Sequence, residues 1–147
     1  MASRTEHKTR TGCPIACILD IVGDHWTLLI VRNLMFAGLH EYKDMLAAEE
    51  QISTSVLTDR LKKLEQEGLI ASVKHPDNDR RKLYYLTPMG KDLIHSLTEM
   101  ILWSTKYLRQ WLRIPKEKEE FIKRNPAGFK KEVLKELKAW EKEYLGK

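Results

Sequence analysis

The sequence predicts a mainly helical α+β fold in which short helices lead into one small β-hairpin and then into long C-terminal helices. Three observations carry that prediction. Apolar residues recur at intervals of three and four along most of the chain, which is the helical period. Only IASVKH and KLYYLT, inside residues 70–87, read as strands. Between them Pro76, Asp77, Asn78 and Asp79 supply the residues of a turn.

At 147 residues the chain suits one ordinary domain with its own core, or a smaller domain with an extension. The net charge of +5 fits a partner that carries phosphates, but with 32% charged residues most of the charge is solvated surface. Cys13 and Cys17 are the only cysteines and form no CxxC, which excludes a disulfide framework and argues against a zinc site. The opening MASRTEHKTRTG has no apolar stretch, and no run approaches the roughly 18 apolar residues of a membrane span. A cytoplasmic, reduced protein with no membrane partner is expected.

Residues 1–12 read as a flexible arm. PIACILDIV, from Pro14 to Val22, opens on a proline suited to a first helical turn and closes at Gly23. Asp24 is placed to cap the next helix, HWTLLIVRNLMFA, where Trp26, Leu29, Ile30, Asn33 and Leu34 share a face and predict burial. Gly38 ends that helix. EYKDMLAAE then gives a third, short helix with Tyr42, Met45 and Leu46 turned inward.

The fourth helix, ISTSVLTDRLKKLEQEGL, has both ends written in its residues: Ser53 as N-cap and Gly68 just past the C-terminus. Leu57, Leu61 and Leu64 form its packing stripe. At about 100° per residue, Ser55, Thr58, Asp59, Lys62 and Gln66 fall on the opposite side. A solvated surface accounts for such a face. Contact with a major groove accounts for it too, because short hydroxyl side chains let the backbone approach base edges. The hairpin supplies the context that favours contact. A helix-turn-helix pair followed at once by a hairpin whose second strand starts Arg80, Arg81, Lys82 describes a winged helix-turn-helix, its guanidinium groups available to phosphates and narrow minor grooves. Asp77 and Asp79 offer an alternative, in which they pair with the two arginines and only stiffen the turn.

CPIACILDIVGDHWTLLIVRNLMFAG, ISTSVLTDRLKKLEQEGLI and YYLTPMGKDL together resemble the HxlR family of bacterial winged-helix transcriptional regulators, in register from about Cys13 to the helix after Thr87. The wing departs from the pattern, since DNDRRKLYYLT resembles the related MarR regulators. The resemblance implies a sequence-specific regulator that binds double-stranded DNA as a homodimer on a pseudo-palindromic operator. It places DNA contacts at Ser53, Thr54, Ser55, Thr58 and Lys62 of the fourth helix, and at Asn78, Arg80, Arg81 and Lys82 of the wing. Arg60 matches an arginine of the family's RL..LE block and is equally compatible with a structural ion pair. Cys13 matches a cysteine that some members use to sense oxidants or electrophiles. A helix N-terminus favours a thiolate there, while a small hydrophobe at a junction is the alternative. Cys17, among Ile15, Ile18 and Leu19, is expected in the core.

Thr87 is placed to cap a long helix from Pro88 to about Leu112. Its stripe of Leu93, Ile94, Leu97, Met100, Ile101, Leu108, Trp111 and Leu112 exceeds what so small a domain covers alone. In the resembling family this helix and the first make the homodimer. Residues 13–113 are thus the winged domain, and residues 114–147 a helical extension outside the resemblance. In that extension Phe129, Val133, Leu134, Leu137, Trp140 and Tyr144 follow a break at Asn125, Pro126 and Gly128. His7, His25, His40, His75 and His95 are scattered without HExxH, a nucleophile elbow or a phosphate loop, so neither an enzyme nor a cofactor or metal is predicted. A thiol peroxidase resting on Cys13 and a winged helix that binds protein are the alternative classes. The sequence specifies no small-molecule effector.

Overall fold

The computed structural model describes residues 11–146, so the arm expected over residues 1–12 lies, but for Thr11 and Gly12, outside the described residues. The described chain forms two compact units, residues 11–91 and 92–146.

In the first unit α1 (Pro14–Val22), α2 (Thr27–Met35), α3 (Tyr42–Leu46) and α4 (Thr54–Glu67) precede an antiparallel pair, β1 (Ile70–His75) and β2 (Asn78–Leu86), followed by α5 (Pro88–Lys91). The core collects Ile30, Val31, Leu34 and Met35 of α2, Met45 of α3, the Leu57, Leu61 and Leu64 stripe of α4, and Leu69, Ile70, Leu83 and Leu86 at the base of the hairpin. Each such side chain contributes roughly 1.5–3 kcal/mol by leaving water. Because the stripe of α4 is fully used in this way, its opposite face is left outside.

Both ends of α4 form as read. Ser53 Oγ accepts the Val56 N–H at 3.2 Å, and Gly68 takes a left-handed φ of 83° while the Leu69 N–H reaches back to the Leu64 carbonyl at 3.0 Å. Thr87 joins the far end of the hairpin to this terminus. Its N–H donates to Leu69 O at 3.0 Å, its hydroxyl donates to Gly68 O at 2.6 Å, and its Oγ1 accepts the Gly90 N–H at 3.2 Å. Gly90 is required by the same closure. A Cβ there would sit 2.1 Å from the Leu69 carbonyl oxygen and 3.1 Å from Leu86 Cδ2, and the first of these is backbone. Gly90→Ala is therefore expected to lower unfolding free energy by about 1–3 kcal/mol, read from the urea midpoint. An alanine variant as stable as the parent would contradict this packing.

The hairpin pairs Ile70 with Leu86, Val73 with Leu83 and Lys74 with Lys82, then steps to His75 with Asn78. β2 therefore carries Asp79, Arg80 and Arg81 as an inserted bulge, which increases local twist. The strand is longer than the sequence suggests, because the turn itself needs only Pro76 and Asp77. His75 Nδ1 accepts the Asp77 N–H at 3.0 Å and Asn78 Oδ1 accepts the Arg80 N–H at 2.9 Å, closing the tip from both sides.

Two other expectations change. On α1 only Ile21 and Val22 are buried, while Ile15, Ile18 and Leu19 are exposed and Cys17 is half-buried rather than in the core. The helix expected from Pro88 to Leu112 is three pieces: α5, then α6 (Ile94–Tyr107), then a 3-10 turn over Arg109–Trp111. Periodicity reports the apolar face but does not register the short break at Asp92 and Leu93.

In the second unit α6 packs with α7 (Lys116–Arg124) and α8 (Pro126–Leu145), which also pack on each other. Ile122, Phe129, Val133 and Leu137 are buried, and the Phe121 and Phe129 rings meet edge to face with centroids 6.4 Å apart. The carboxylate of Glu119, only 4% exposed, is held by the Arg109 guanidinium, with Lys123 Nζ at 3.8 Å. Asn125 caps α8 by accepting the Gly128 N–H at 2.9 Å. The C-terminal extension is thus a folded helical hairpin. Met100, Trp103, Tyr107 and Trp111 of this unit stay exposed, Trp111 to 72%. Among the described residues no single helix is long and apolar enough to cross a membrane.

Candidate nucleic-acid interface

The outer face of α4 carries Thr54, Ser55, Thr58 and Lys62, all exposed, with Ser53 occupied as the cap. Its orientation is set from behind. Arg60 Nε donates to Asp24 Oδ2 at 2.9 Å, and the same guanidinium holds Asp59. Asp24 also accepts the N–H groups of Trp26 at 2.9 Å and Thr27 at 3.1 Å, together with the buried Thr27 hydroxyl. Burial pushes the Asp24 carboxyl up, but the hydrogen bonds from Thr27, Arg60 and the two backbone amides outweigh it and hold the group far below the usual carboxylate range. Lys63 Nζ adds a second tie, to the Asp20 carbonyl oxygen at the end of α1, at 3.1 Å.

The turn between α3 and α4 is held in the same manner. Gln51 sits at a left-handed φ of 57°, and next to it the Glu50 carboxylate accepts from Arg32 Nη1 at 2.6 Å and Nη2 at 2.8 Å. The Arg32 hydrogen bonds hold the Glu50 carboxyl down at about 2.

The wing is fastened to the residues just before α3. His40 accepts the Tyr84 N–H through its carbonyl at 2.8 Å and donates Nδ1–H to the Tyr84 carbonyl at 2.8 Å. Arg81 forks onto Glu41, with Nε to Oε2 at 2.9 Å, and His75 Nε2 approaches the same carboxylate at 3.5 Å. The Arg81 hydrogen bonds lower the Glu41 carboxyl against the opposing effect of burial. The salt-bridge partner of Arg81 is therefore Glu41 and not an aspartate of the turn. Arg80 and Lys82, by contrast, are exposed and, like Lys62, have no ion-pair partner among the described residues.

Two open concavities run between α3, α4 and the wing and share Tyr42, Lys82 and Tyr84. One, of about 510 Å³, is lined by Glu41, Lys43, Arg80 and Arg81 as well; the other, of about 470 Å³, adds Thr58, Lys62 and Glu65. Helix face and wing therefore border one groove. Ser53, Thr54, Ser55 and Asn78 lie outside its lining, and Arg60 is turned toward Asp24. Sequence reasoning missed Tyr42 as a groove residue. Its spacing with Met45 and Leu46 turns it inward, yet its Oη contacts the Thr54 carbonyl oxygen and Thr58 Oγ1, each at 3.0 Å. Cys13, expected as a redox residue, is an exposed free thiol at the N-cap of α1. The described residues contain no cluster of His, Cys, Asp or Glu suited to a metal ion.

A helix-turn-helix that exposes the outer face of its second helix beside a basic hairpin defines a winged helix-turn-helix protein. Within that class the chain belongs to the HxlR-like helix-turn-helix family, whose profile matches residues 21–111. It is similar to the HTH-type transcriptional regulator Rv3095 of Mycobacterium tuberculosis, 34% identical over 97 residues that are 66% of this chain and 60% of the relative. The chain thus spans about three fifths of that relative's length. It is also similar to the HTH-type transcriptional regulator YvaP of Bacillus subtilis, 36% identical over 90 residues, 61% of this chain and 82% of the relative. The reduced form of the transcriptional regulator YodB from B. subtilis superposes with a TM-score of 0.55 at 30% identity, over 65% of this chain and 93% of YodB.

Proposed function

We propose that the chain is a transcriptional regulator that binds its operator as a homodimer, with α4 in the major groove and the β1–β2 wing on the flanking backbone. One observation carries this reading. Thr58 and Lys62 of α4 and Lys82 of β2 line one groove, with Arg80 further along it, and among the described residues none of these three cations is ion-paired, although Glu41 and Glu65 also border the groove. In this reading Thr54, Ser55 and Thr58 meet base edges, Lys62, Arg80 and Lys82 meet phosphates, and Ser53, Arg60, Asn78 and Arg81 hold the two elements in shape.

Dimerisation is supported by apolar side chains left in water on each unit: Ile15, Ile18 and Leu19 in the first, Met100, Trp103, Tyr107 and Trp111 in the second. A two-fold dimer calls for two half-sites about one helical turn apart. The test is binding to random and genomic duplexes across a salt series. Log affinity is expected to fall linearly with log salt, by about 0.9 per phosphate contact, and genomic selection to return an inverted repeat. Salt-independent binding, or no binding, would favour a protein partner. A response to oxidants through Cys13 is a second reading, supported by its exposure at a helix start and by likeness to YodB. Cys13→Ser is then expected to keep DNA binding that the parent loses on thiol oxidation.

A further inference from the structure

We infer that Tyr42 fixes the hydrogen-bonding polarity of Thr58, so that Thr58 reads the exocyclic amino group of an adenine or a cytosine. The inference rests on the proposed docking of α4 in the major groove. Tyr42 Oη lies 3.0 Å from the Thr54 carbonyl oxygen and 3.0 Å from Thr58 Oγ1. A carbonyl oxygen only accepts, so the single phenolic hydrogen goes to Thr54. The contact with Thr58 then requires the hydrogen of the Thr58 hydroxyl. Thr58 commits its donor inside the protein and offers only lone pairs outward. A helical threonine commonly turns its hydroxyl back onto the carbonyl one turn earlier, as Thr98 does to Ile94 at 2.6 Å. At Thr58 the tyrosine has taken that carbonyl and turned the hydroxyl toward the groove.

The two side chains stay accessible, Thr58 exposed and Tyr42 half-buried, and both line the concavity that holds Lys62. In the major groove adenine N6 and cytosine N4 are donors, while guanine O6 and N7 and thymine O4 are acceptors. A hydroxyl that rotates freely satisfies either class. Thr58 as held satisfies only the amino-bearing bases. Tyr42 is thus a positioning residue: it touches no base and acts through Thr58.

The full-length chain is tested by selecting bound duplexes from a randomised pool, comparing the parent with Tyr42→Phe and Thr58→Val. The parent should favour adenine or cytosine over guanine or thymine about tenfold at one position of each half-site. Both variants should lose that preference and keep those at other positions, with the salt slope unchanged. A second measurement needs only the parent and Thr58→Val. Replacing the selected base by an analogue without its amino group should weaken parent binding about tenfold and leave Thr58→Val indifferent. A Tyr42→Phe chain with the parent's full set of preferences overturns the inference while α4 docking stands. So does a parent that prefers guanine or thymine at the Thr58-dependent position. A parent that enriches no sequence at all overturns the inference together with the reading beneath it.

Discussion

Replacing Lys62, Arg80 and Lys82 together by alanine is expected to weaken binding to every duplex, matched or random, on the order of a hundredfold near physiological salt, since a hydrogen bond to a charged group is worth about 1.5–3 kcal/mol before solvent screening. The same variant should flatten the dependence of log affinity on log salt by about 0.9 for each phosphate contact removed. Among the described residues none of these three cations is held in an ion pair, whereas Arg81 is already forked onto Glu41. Arg81→Ala alone should act differently. It strips the partner from a carboxylate whose side chain is only 15% exposed, loosens the wing from the residues before α3, and changes the salt slope by less than one contact. Fluorescence anisotropy with labelled duplexes at several salt concentrations separates the two. Parallel salt lines for the parent and the triple variant would remove the groove from the DNA path.

The features that were legible in the sequence are those whose physics is local. Ser53 and Gly68 mark α4 because caps act within one turn, and Leu57, Leu61 and Leu64 mark its buried side because they share a stripe. The hairpin was legible for the same reason, being bounded by its own turn residues. What was not legible acts at long range. Asp24 and Arg60 are 36 positions apart and Glu41 and Arg81 are 40 apart, and a sequence in which 32% of residues are charged offers many equally plausible partners. Asp77 and Asp79 looked like partners of the arginines by adjacency alone, but the bulge in β2 turns Arg81 toward Glu41 instead. Tyr42 fits an apolar face by spacing, and only the approach of α4 gives its hydroxyl two neighbours.

Asp24→Ala is expected to lower unfolding free energy by about 2–4 kcal/mol, more than the loss of a helix cap alone, which is about 0.5–2 kcal/mol. The excess comes from the Thr27 hydroxyl, fully buried and left without its acceptor, and from Arg60, left without the partner that anchors α4. Solvent keeps the figure below that of a fully buried ion pair, because the Arg60 and Asp24 side chains are 26% and 25% exposed. Asn at this position keeps an acceptor for the backbone amides and should fall between. The pH dependence follows from the direction of the shift. Asp24 in the folded chain sits below its unfolded value of about 4, so its stabilising contribution is complete above that value and is lost as pH falls from there toward the folded value. Glu41 and Glu50 act in the same direction, Glu50 down to about 2, so stability should decline steeply from about pH 5 to pH 2 and less steeply in Asp24→Asn. Urea titrations at pH 7 and pH 3 read both effects. An Asp24→Ala chain close to the parent in midpoint, or an Asp24→Asn chain with the parent's acid slope, would contradict the coupling. Arg60→Ala supplies the discriminating comparison: if Arg60 anchors α4 and does not touch DNA, this change should reproduce much of the stability loss and leave the salt slope of binding where it was.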